Sequence, residues 1–331
     1  MIISRTPFRV SFFGGGTDYP DWFREHGGAV LATTIDKYCY ISVRELPPFF
    51  EHKFRVVYSL VENVQEVGQI NHPAVRAVLE RMRVTTGLEI HHDGDLPARS
   101  GLGSSSAFTV GLLSAMHALA GRYTSKEALA HEAIHIEHAL LNEPVGLQDQ
   151  ISAAYGGFNH IVFRCDGTYE IRPMIVARER IAALQDHFLL IFTGISRLAA
   201  EVAQTVITNL KQKADDLHAM QEMVAEAIAV LSSPTRDLAD FGRLLGDCWK
   251  RKRQLSDRVS NPTIDNLYET ALRAGAIGGK LLGAGGGGFV LLFVRPEDRE
   301  RVRAALKHLV AVPFTFDTSG CRIVLYQPDG L

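Results

Sequence analysis

Pro97-Ala-Arg-Ser-Gly-Leu-Gly-Ser-Ser-Ser-Ala107 is the stretch on which the reading of this sequence turns. Residues 86–93 precede it and read as a strand. From Ser104 to about Ala120 the residues are small and apolar throughout, the pattern of a buried helix. Gly101 and Gly103 carry no Cβ and accept positive φ, so the backbone there can approach a ligand closely. The first N–H groups of a helix have no intrahelical partner, and the macrodipole adds roughly half a positive charge at that end. A helix opened by Ser104, Ser105 and Ser106 is therefore an anion site. The hydroxyls of Ser104 and Ser105 are also suited to phosphate oxygens or Mg²⁺. No Gly-Lys-Ser/Thr follows, so the loop is not a Walker A loop. The bland alternative is a serine-capped buried helix after a flexible turn.

Two further glycine segments tip the balance. In Pro7-Phe-Arg-Val-Ser-Phe-Phe-Gly-Gly-Gly-Thr-Asp-Tyr-Pro20 a short strand over 8–13 delivers Gly14, Gly15 and Gly16, then Thr17 and Asp18. Asp18 is a fixed double acceptor suited to a pair of sugar hydroxyls, unless it merely caps the next helix. In Lys280-Leu-Leu-Gly-Ala-Gly-Gly-Gly-Gly-Phe289 the glycines fit GxGxxG but run into a strand, 289–294. A dinucleotide fold needs them to leave a strand and open a helix, so that reading fails.

The chain has 331 residues, 46% hydrophobic and 22% charged, with a net charge of −2. That is ordinary for a globular protein and long enough for two domains. Nothing global points to nucleic acid or an anionic membrane, so a bound anion needs a local site. Cys39, Cys165, Cys248 and Cys321 are scattered, with no CxxC pair, as expected for reduced thiols. No signal-peptide pattern opens the chain and no apolar run is long enough to span a bilayer. The expectation is a cytoplasmic protein, with a homodimer as one open state of assembly.

Residues 29–45 read as strand. Thr124 and Glu127 look like a capping box for a helix to about Leu141. Residues 158–164 and 169–173 flank Asp166-Gly167, a hairpin signal. After a strand at 187–193 come three or four amphipathic helices between 196 and 274. Strand 289–294, a helix near 297–309, and strands near 311–317 and 321–326 follow. The class is α+β, with helices on a small antiparallel sheet in the second half. The domain boundary is placed near residue 180, at the polar Arg178–Arg180, giving domains 1–180 and 181–331.

The three glycine segments, in this order, resemble the three motifs of the GHMP kinase superfamily, over nearly the whole chain. The resemblance implies an N-terminal domain like the second domain of ribosomal protein S5 and a ferredoxin-like C-terminal domain. It implies an ATP-dependent kinase of a small-molecule hydroxyl, with Mg²⁺. Galactokinases carry Glu-His where this chain has Gly15 and Gly16, which argues against galactose. The first and third glycine strings look like those of D-glycero-D-manno-heptose 7-phosphate kinases. Such enzymes phosphorylate the anomeric hydroxyl to give the 1,7-bisphosphate, toward GDP-heptose and surface polysaccharide. Mannose or fucose is the alternative acceptor.

The resemblance also implies roles. Asp149, in Gly146-Leu-Gln-Asp-Gln-Ile-Ser-Ala-Ala-Tyr-Gly-Gly157, is the candidate base, with Arg9 as a second catalytic candidate that would otherwise brace Asp18 or contact the sugar. General-base help is typically worth about 10²–10⁴-fold. Pro97, Ser100, Gly101, Leu102, Gly103 and Ser104–Ser106 would hold ATP. Ser105 and Glu137 would hold Mg²⁺, which usually takes only one or two carboxylates. Gly14–Asp18, Gly285, Gly286 and Lys250 would meet the substrate. Arg9, Arg99, Arg197 and the run Lys250–Arg253 are candidates for a substrate phosphate. Lys280 either steadies the last glycine loop or contacts substrate. The bland readings are a capping Asp149, a solvated Glu137 and a solvated basic helix end.

One motif competes. His131-Glu-Ala-Ile-His135 matches the HExxH zinc pattern on a helix, but lacks the GxxH continuation of one protease class. A third reading is a kinase-like fold that senses sugar without turnover. Asp149, Glu137 and both loop serines are present, so nothing signals a dead site.

Overall fold

The computed structural model describes residues 1–195 and 199–328. Among them, nine strands form one mixed sheet. Its main path runs Arg322–Tyr326, Ile2–Phe13, Gly28–Glu45, Leu88–Gly94, Phe54–Val57, Val61–Val64. Gly28–Glu45 is long enough to serve two partners on one side. Residues 39–45 pair with Leu88–Gly94, and residues 28–33 pair with Phe158–Phe163. Ile2–Phe13 pairs with it from Ile2↔Val43 to Phe13↔Leu31. The hairpin Phe158–Phe163 and Tyr169–Pro173 turns at Asp166-Gly167, as its sequence predicts. Helix Ser104–Leu119 covers the sheet with an unbroken buried run from Ser106 to Leu113. Gly111 brings it close: a Cβ there would sit 2.8 Å from Thr6 Oγ1.

The second sheet is antiparallel in the order Val310–Val312, Phe188–Phe192, Phe289–Val294, Ala276–Leu281. Phe289–Val294 is buried along its whole length, as a central strand of apolar residues should be. Helices Ala199–Asn209, Ala214–Ser232, Ala239–Gln254 and Pro262–Arg273 fill the region where amphipathic periodicity predicts them. Ala239–Gln254 lies directly on the sheet. A Cβ on Gly278 would meet the Gly242 carbonyl oxygen at 2.0 Å, so two glycines let helix and strand touch. A ring cluster joins the two halves. Phe12 stacks on Phe188 at 5.3 Å and meets Phe241 edge-on at 5.6 Å, while Phe13 meets Phe241 at 5.0 Å.

The chain departs from the sequence reading in four places. Residues 311–317, read as one strand, are two. Val310–Val312 joins the second sheet, and Phe316–Asp317 pairs with Ile35 and Thr34 of the first. Pro313 lies between them and has no N–H to continue a ladder. Arg322–Tyr326 then returns to pair with Ile2–Arg5, so the end of the 181–331 segment belongs to the first sheet. Arg178–Arg180, read as a boundary, is the first turn of helix Arg178–Asp186. Arg180 donates to the carbonyls of Leu231 and Val230, binding that turn to the following helices. The helix predicted from Thr124 is capped one residue later by Ser125 and runs Lys126–Ile134. It then widens into a π turn, His135–Leu140, that carries Glu137.

Candidate active site

Strand Ile2–Phe13 and the phosphate loop are stitched together at Arg9. Its main-chain N–H donates to Leu102 O at 3.0 Å, and its Nη1 donates to Gly101 O at 2.6 Å. The rest of its guanidinium forks onto Asp149: Nε to Oδ1 at 2.7 Å and Nη2 to Oδ2 at 2.9 Å. Arg9 is buried, while the Asp149 side chain stays 23% exposed toward a cleft of about 170 Å³. Gly103, at φ +75°, is the N-cap of helix Ser104–Leu119 and supplies no side-chain cap. The first N–H groups of that helix are thus left for a ligand.

Asp149 sits in the first turn of helix Gln148–Tyr155, and Asp18 holds the entry to that turn. Asp18 accepts from Gly16 N at 2.9 Å, Gln148 N at 3.3 Å and Gln148 Nε2 at 2.9 Å. Burial pushes its carboxyl up from the usual range, and the Asp149 charge adds to this. Gly146 must be glycine here, since a Cβ would sit 1.9 Å from Asp18 Oδ2.

Two buried lysines line the same cleft. Lys252 Nζ donates to Leu281 O at 3.0 Å and to Gly283 O. Lys280 Nζ donates to Phe12 O at 2.8 Å. Burial lowers the pKa of both, well below the usual lysine range for Lys252, with Lys280 the next largest cause there.

Glu137 lies one hydroxyl behind the cleft wall. Its Oε2 accepts from Ser106 Oγ at 2.8 Å and from Gln150 Nε2, while Oε1 is buried with no partner among the described residues. Burial raises this carboxyl to about 7. A buried carboxylate with a bare oxygen, beside serine hydroxyls, fits a small oxygen-seeking cation.

Family models match in both halves: GHMP kinases N terminal domain over residues 67–157 and GHMP kinases C terminal over residues 219–311. The D-glycero-alpha-D-manno-heptose 7-phosphate kinase of Campylobacter jejuni is 30% identical over 92% of this chain and 93% of its own. This chain belongs to the GHMP kinase family. It is an ATP-dependent sugar kinase. A bifunctional fucokinase/GDP-fucose pyrophosphorylase of Arabidopsis thaliana is 26% identical over 89% of the chain and 30% of that protein. The crystal structure of a D-glycero-D-manno-heptose 1-phosphate kinase from Bacteroides thetaiotaomicron superposes with a TM-score of 0.80, covering 98% of each chain. At 23% identity that likeness speaks for the fold.

Within this kinase, the cleft gathers Arg9, Gly15, Gly16, Asp18, Asp149 and the loop residues Gly101, Gly103 and Ser104–Ser106. Other expected positions fall elsewhere. Gly14 and Thr17 close the turn from inside: Thr17 Oγ1 donates to Gly14 O and Ala29 O, and a Cβ on Gly14 would strike Ala29 O at 1.8 Å. Pro97 is exposed outside the cleft, and Ser100 and Leu102 are buried beneath the loop. Ser106, rather than Ser105, touches Glu137; the helix turns Ser105 outward and Ser106 inward.

Gly285 and Gly286 do not meet the cleft. They pack on the turn before helix Pro262–Arg273, where Gly286 N donates to Val259 O at 2.9 Å. Gly283 reaches the phosphate loop instead: a Cβ there would sit 2.4 Å from Gly101 Cα. These glycines serve loop-on-loop contact more than ligand contact. Lys250 is 73% exposed and paired to Asp247 at 2.8 Å, so it is no cleft residue. Arg253 pairs with Asp265 at 2.9 Å, and Arg99 lines the cleft mouth at φ +60°. Arg197 lies outside the described residues.

The HExxH segment builds no metal site. Glu132 is committed to Arg81 at 3.0 Å and His117 at 2.7 Å, and His131 lies against Tyr169. Among the described residues no three His, Cys, Asp or Glu side chains converge on a metal position. No described helix is long and apolar enough to cross a membrane.

Sequence reasoning missed Gln148 and Gln150, and within the run Lys250–Arg253 it put the substrate contact on Lys250 instead of Lys252. Lys252 had a visible signal. The buried face of helix Ala239–Gln254 runs Phe241, Leu245, Cys248, Lys252, the spacing of one helical stripe, and Lys250 falls off it.

Proposed function

We propose that this kinase transfers the γ-phosphoryl group of ATP to the anomeric hydroxyl of D-glycero-D-manno-heptose 7-phosphate, giving the 1,7-bisphosphate. In a cytoplasmic pathway this product feeds nucleotide-activated heptose for surface polysaccharide. The observation that carries the acceptor is the full-length similarity to a kinase bearing that name, at 30% identity. The absence of Glu-His before Thr17-Asp18 supports a non-galactose acceptor.

The chemistry follows from the cleft. ATP phosphates lie at the start of helix Ser104–Leu119, where unpartnered N–H groups stabilise negative charge. Asp149 takes the proton of the attacking hydroxyl. Arg9 holds both carboxylate oxygens, so the accepting lone pairs keep one direction. Because Arg9 also grips Gly101 O, the base and the phosphate loop move as one piece. That rigidity serves an in-line transfer, which depends on positioning. Glu137 with the Ser105 and Ser106 hydroxyls would hold Mg²⁺, which when bound neutralises charge on the transferring phosphoryl group.

The test is ADP release with Mg²⁺-ATP and a panel of D-glycero-D-manno-heptose 7-phosphate, mannose, fucose and galactose. The highest kcat/KM is expected for the heptose phosphate. A higher value for any other member replaces the acceptor and leaves the kinase assignment standing.

A further inference from the structure

Lys252 and Lys280 have no part in the chemistry above. Among the described residues their hydrogen bonds go only to main-chain carbonyls, Leu281 O and Gly283 O for one and Phe12 O for the other. Neither forms an ion pair among the described residues, although both are more than nine-tenths buried. The nearby carboxylates are already engaged. Asp149 is forked by Arg9, and Asp18 takes the N–H groups of Gly16 and Gln148. A buried ammonium without a counter-ion is strongly unfavourable, so the cleft is arranged for an incoming anion.

Further unpaired groups mark where the molecule that carries this anion lies. Ser11 Oγ and Gln148 Oε1 are buried, have no hydrogen-bond partner among the described residues, and line the same cleft. They flank Gly15: a Cβ there would stand 3.6 Å from Ser11 Oγ and 3.7 Å from Gln148 Nε2. Lys280 bonds the carbonyl of Phe12, the residue after Ser11. The lysines and the orphaned polar atoms therefore share the acceptor side, by the helix that carries Asp149. The nucleotide has its own anion seat at the start of helix Ser104–Leu119.

We propose that Lys252 and Lys280 seat a phosphate ester carried by the sugar acceptor, while Ser11 and Gln148 hydrogen-bond its neighbouring hydroxyls. This rests on the phosphorylated acceptor of the proposed function and assigns the residues that select it. Methionine keeps the length of lysine and removes its charge, so Lys252→Met and Lys280→Met are the informative variants. The first readout is the ratio of kcat/KM for D-glycero-D-manno-heptose 7-phosphate to that for the unphosphorylated heptose. Each variant should lower this ratio by about 10- to 100-fold, the loss expected for a charged hydrogen bond. KM for ATP should hold within about twofold in Lys280→Met, whose ammonium bonds Phe12 O and not the loop that packs on Gly101, since the nucleotide phosphates are bound at a helix N-terminus instead. The second readout is inhibition of the unmodified kinase by inorganic phosphate, expected to be competitive against the sugar and not against ATP.

A ratio that stays unchanged in both folded variants overturns the seat. So does a rise in KM for ATP with the ratio intact, which would give the lysines to the nucleotide. Thermal melting identifies a variant that does not fold, and phosphate inhibition of the unmodified kinase then decides alone. If neither heptose is turned over, the proposed acceptor falls. The seat is then judged by phosphate competition against whichever sugar is turned over: competitive inhibition upholds it and non-competitive inhibition removes it.

Discussion

Stability and turnover should come apart at the Arg9–Asp149 pair. Asp149→Asn keeps the shape but presents an NH₂ group to one arm of a guanidinium whose side chain is 5% exposed. Breaking a fully buried pair costs about 3–5 kcal/mol. Asp149 retains 23% exposure, so water compensates in part and about 2 kcal/mol is expected. Arg9→Met strands the carboxylate with a similar loss. The double variant removes both charges of the pair and should recover to within about 1 kcal/mol of the unmodified kinase. Turnover should not recover. Each variant should lose about 10²–10⁴-fold in kcat, because none retains a positioned base. The two singles should also differ in ATP binding. Arg9→Met releases Gly101 O and should raise KM for ATP, whereas Asp149→Asn leaves that contact in place. Urea unfolding and ADP release on all four proteins make the complete cycle. Asp149→Asn turnover within about tenfold of the unmodified kinase would remove Asp149 as the base. A double variant no more stable than the singles would show that the pair's cost lies elsewhere.

Glu137 predicts a pH dependence. Its carboxyl is raised from 4.5 to about 7, so the folded chain binds a proton that the unfolded chain releases. The stabilisation is complete below about 4.5 and is lost as pH rises through about 7, by an order of ~3 kcal/mol in metal-free protein. Glu137→Gln should flatten that slope in chemical denaturation between those pH values; an unchanged slope assigns it to other groups. Gly283→Ala places a methyl 2.4 Å from Gly101 Cα at φ +70°. It should raise KM for ATP and lower stability by about 1–3 kcal/mol; normal ATP kinetics would mean the two loops do not set each other's position. Lys250→Ala removes only an exposed pair with Asp247. Stability should stay within about 0.5 kcal/mol and kcat/KM within about twofold, and a larger loss would return Lys250 to the substrate site.

What the sequence made legible was local. Gly101 and Gly103 between a strand and a run of serines announce a helix start with bare N–H groups, and the chain builds one at Ser104. Phe289–Val294 is apolar at every position and is a buried central strand. The less legible features depend on partners far along the chain. Arg322–Tyr326 carries the β-branched and aromatic residues of a strand, but nothing in it states that its partner is Ile2–Arg5. The glycines near 283–288 suggest ligand contact because both a ligand and a second backbone demand a missing Cβ. Only the packing of Gly283 on Gly101, and of Gly288 on Ser100 O at 2.1 Å, separates the two demands. Charge was the hardest to read. A run Lys-Arg-Lys-Arg looks like a solvated helix end, and for Lys250 it is. Lys252 shares that run but falls in phase with Phe241, Leu245 and Cys248, so the helix carries its ammonium under the sheet edge to Leu281 O and Gly283 O. A lysine in phase with an apolar stripe deserves a different weight from its neighbours, because desolvating it is costly unless a fixed acceptor or an anion awaits it. The same reasoning makes Lys280 stand out in an otherwise apolar strand. In the proposed seat, the placement of these two cations, more than the glycines that first suggest a sugar, distinguishes the acceptor side of this cleft.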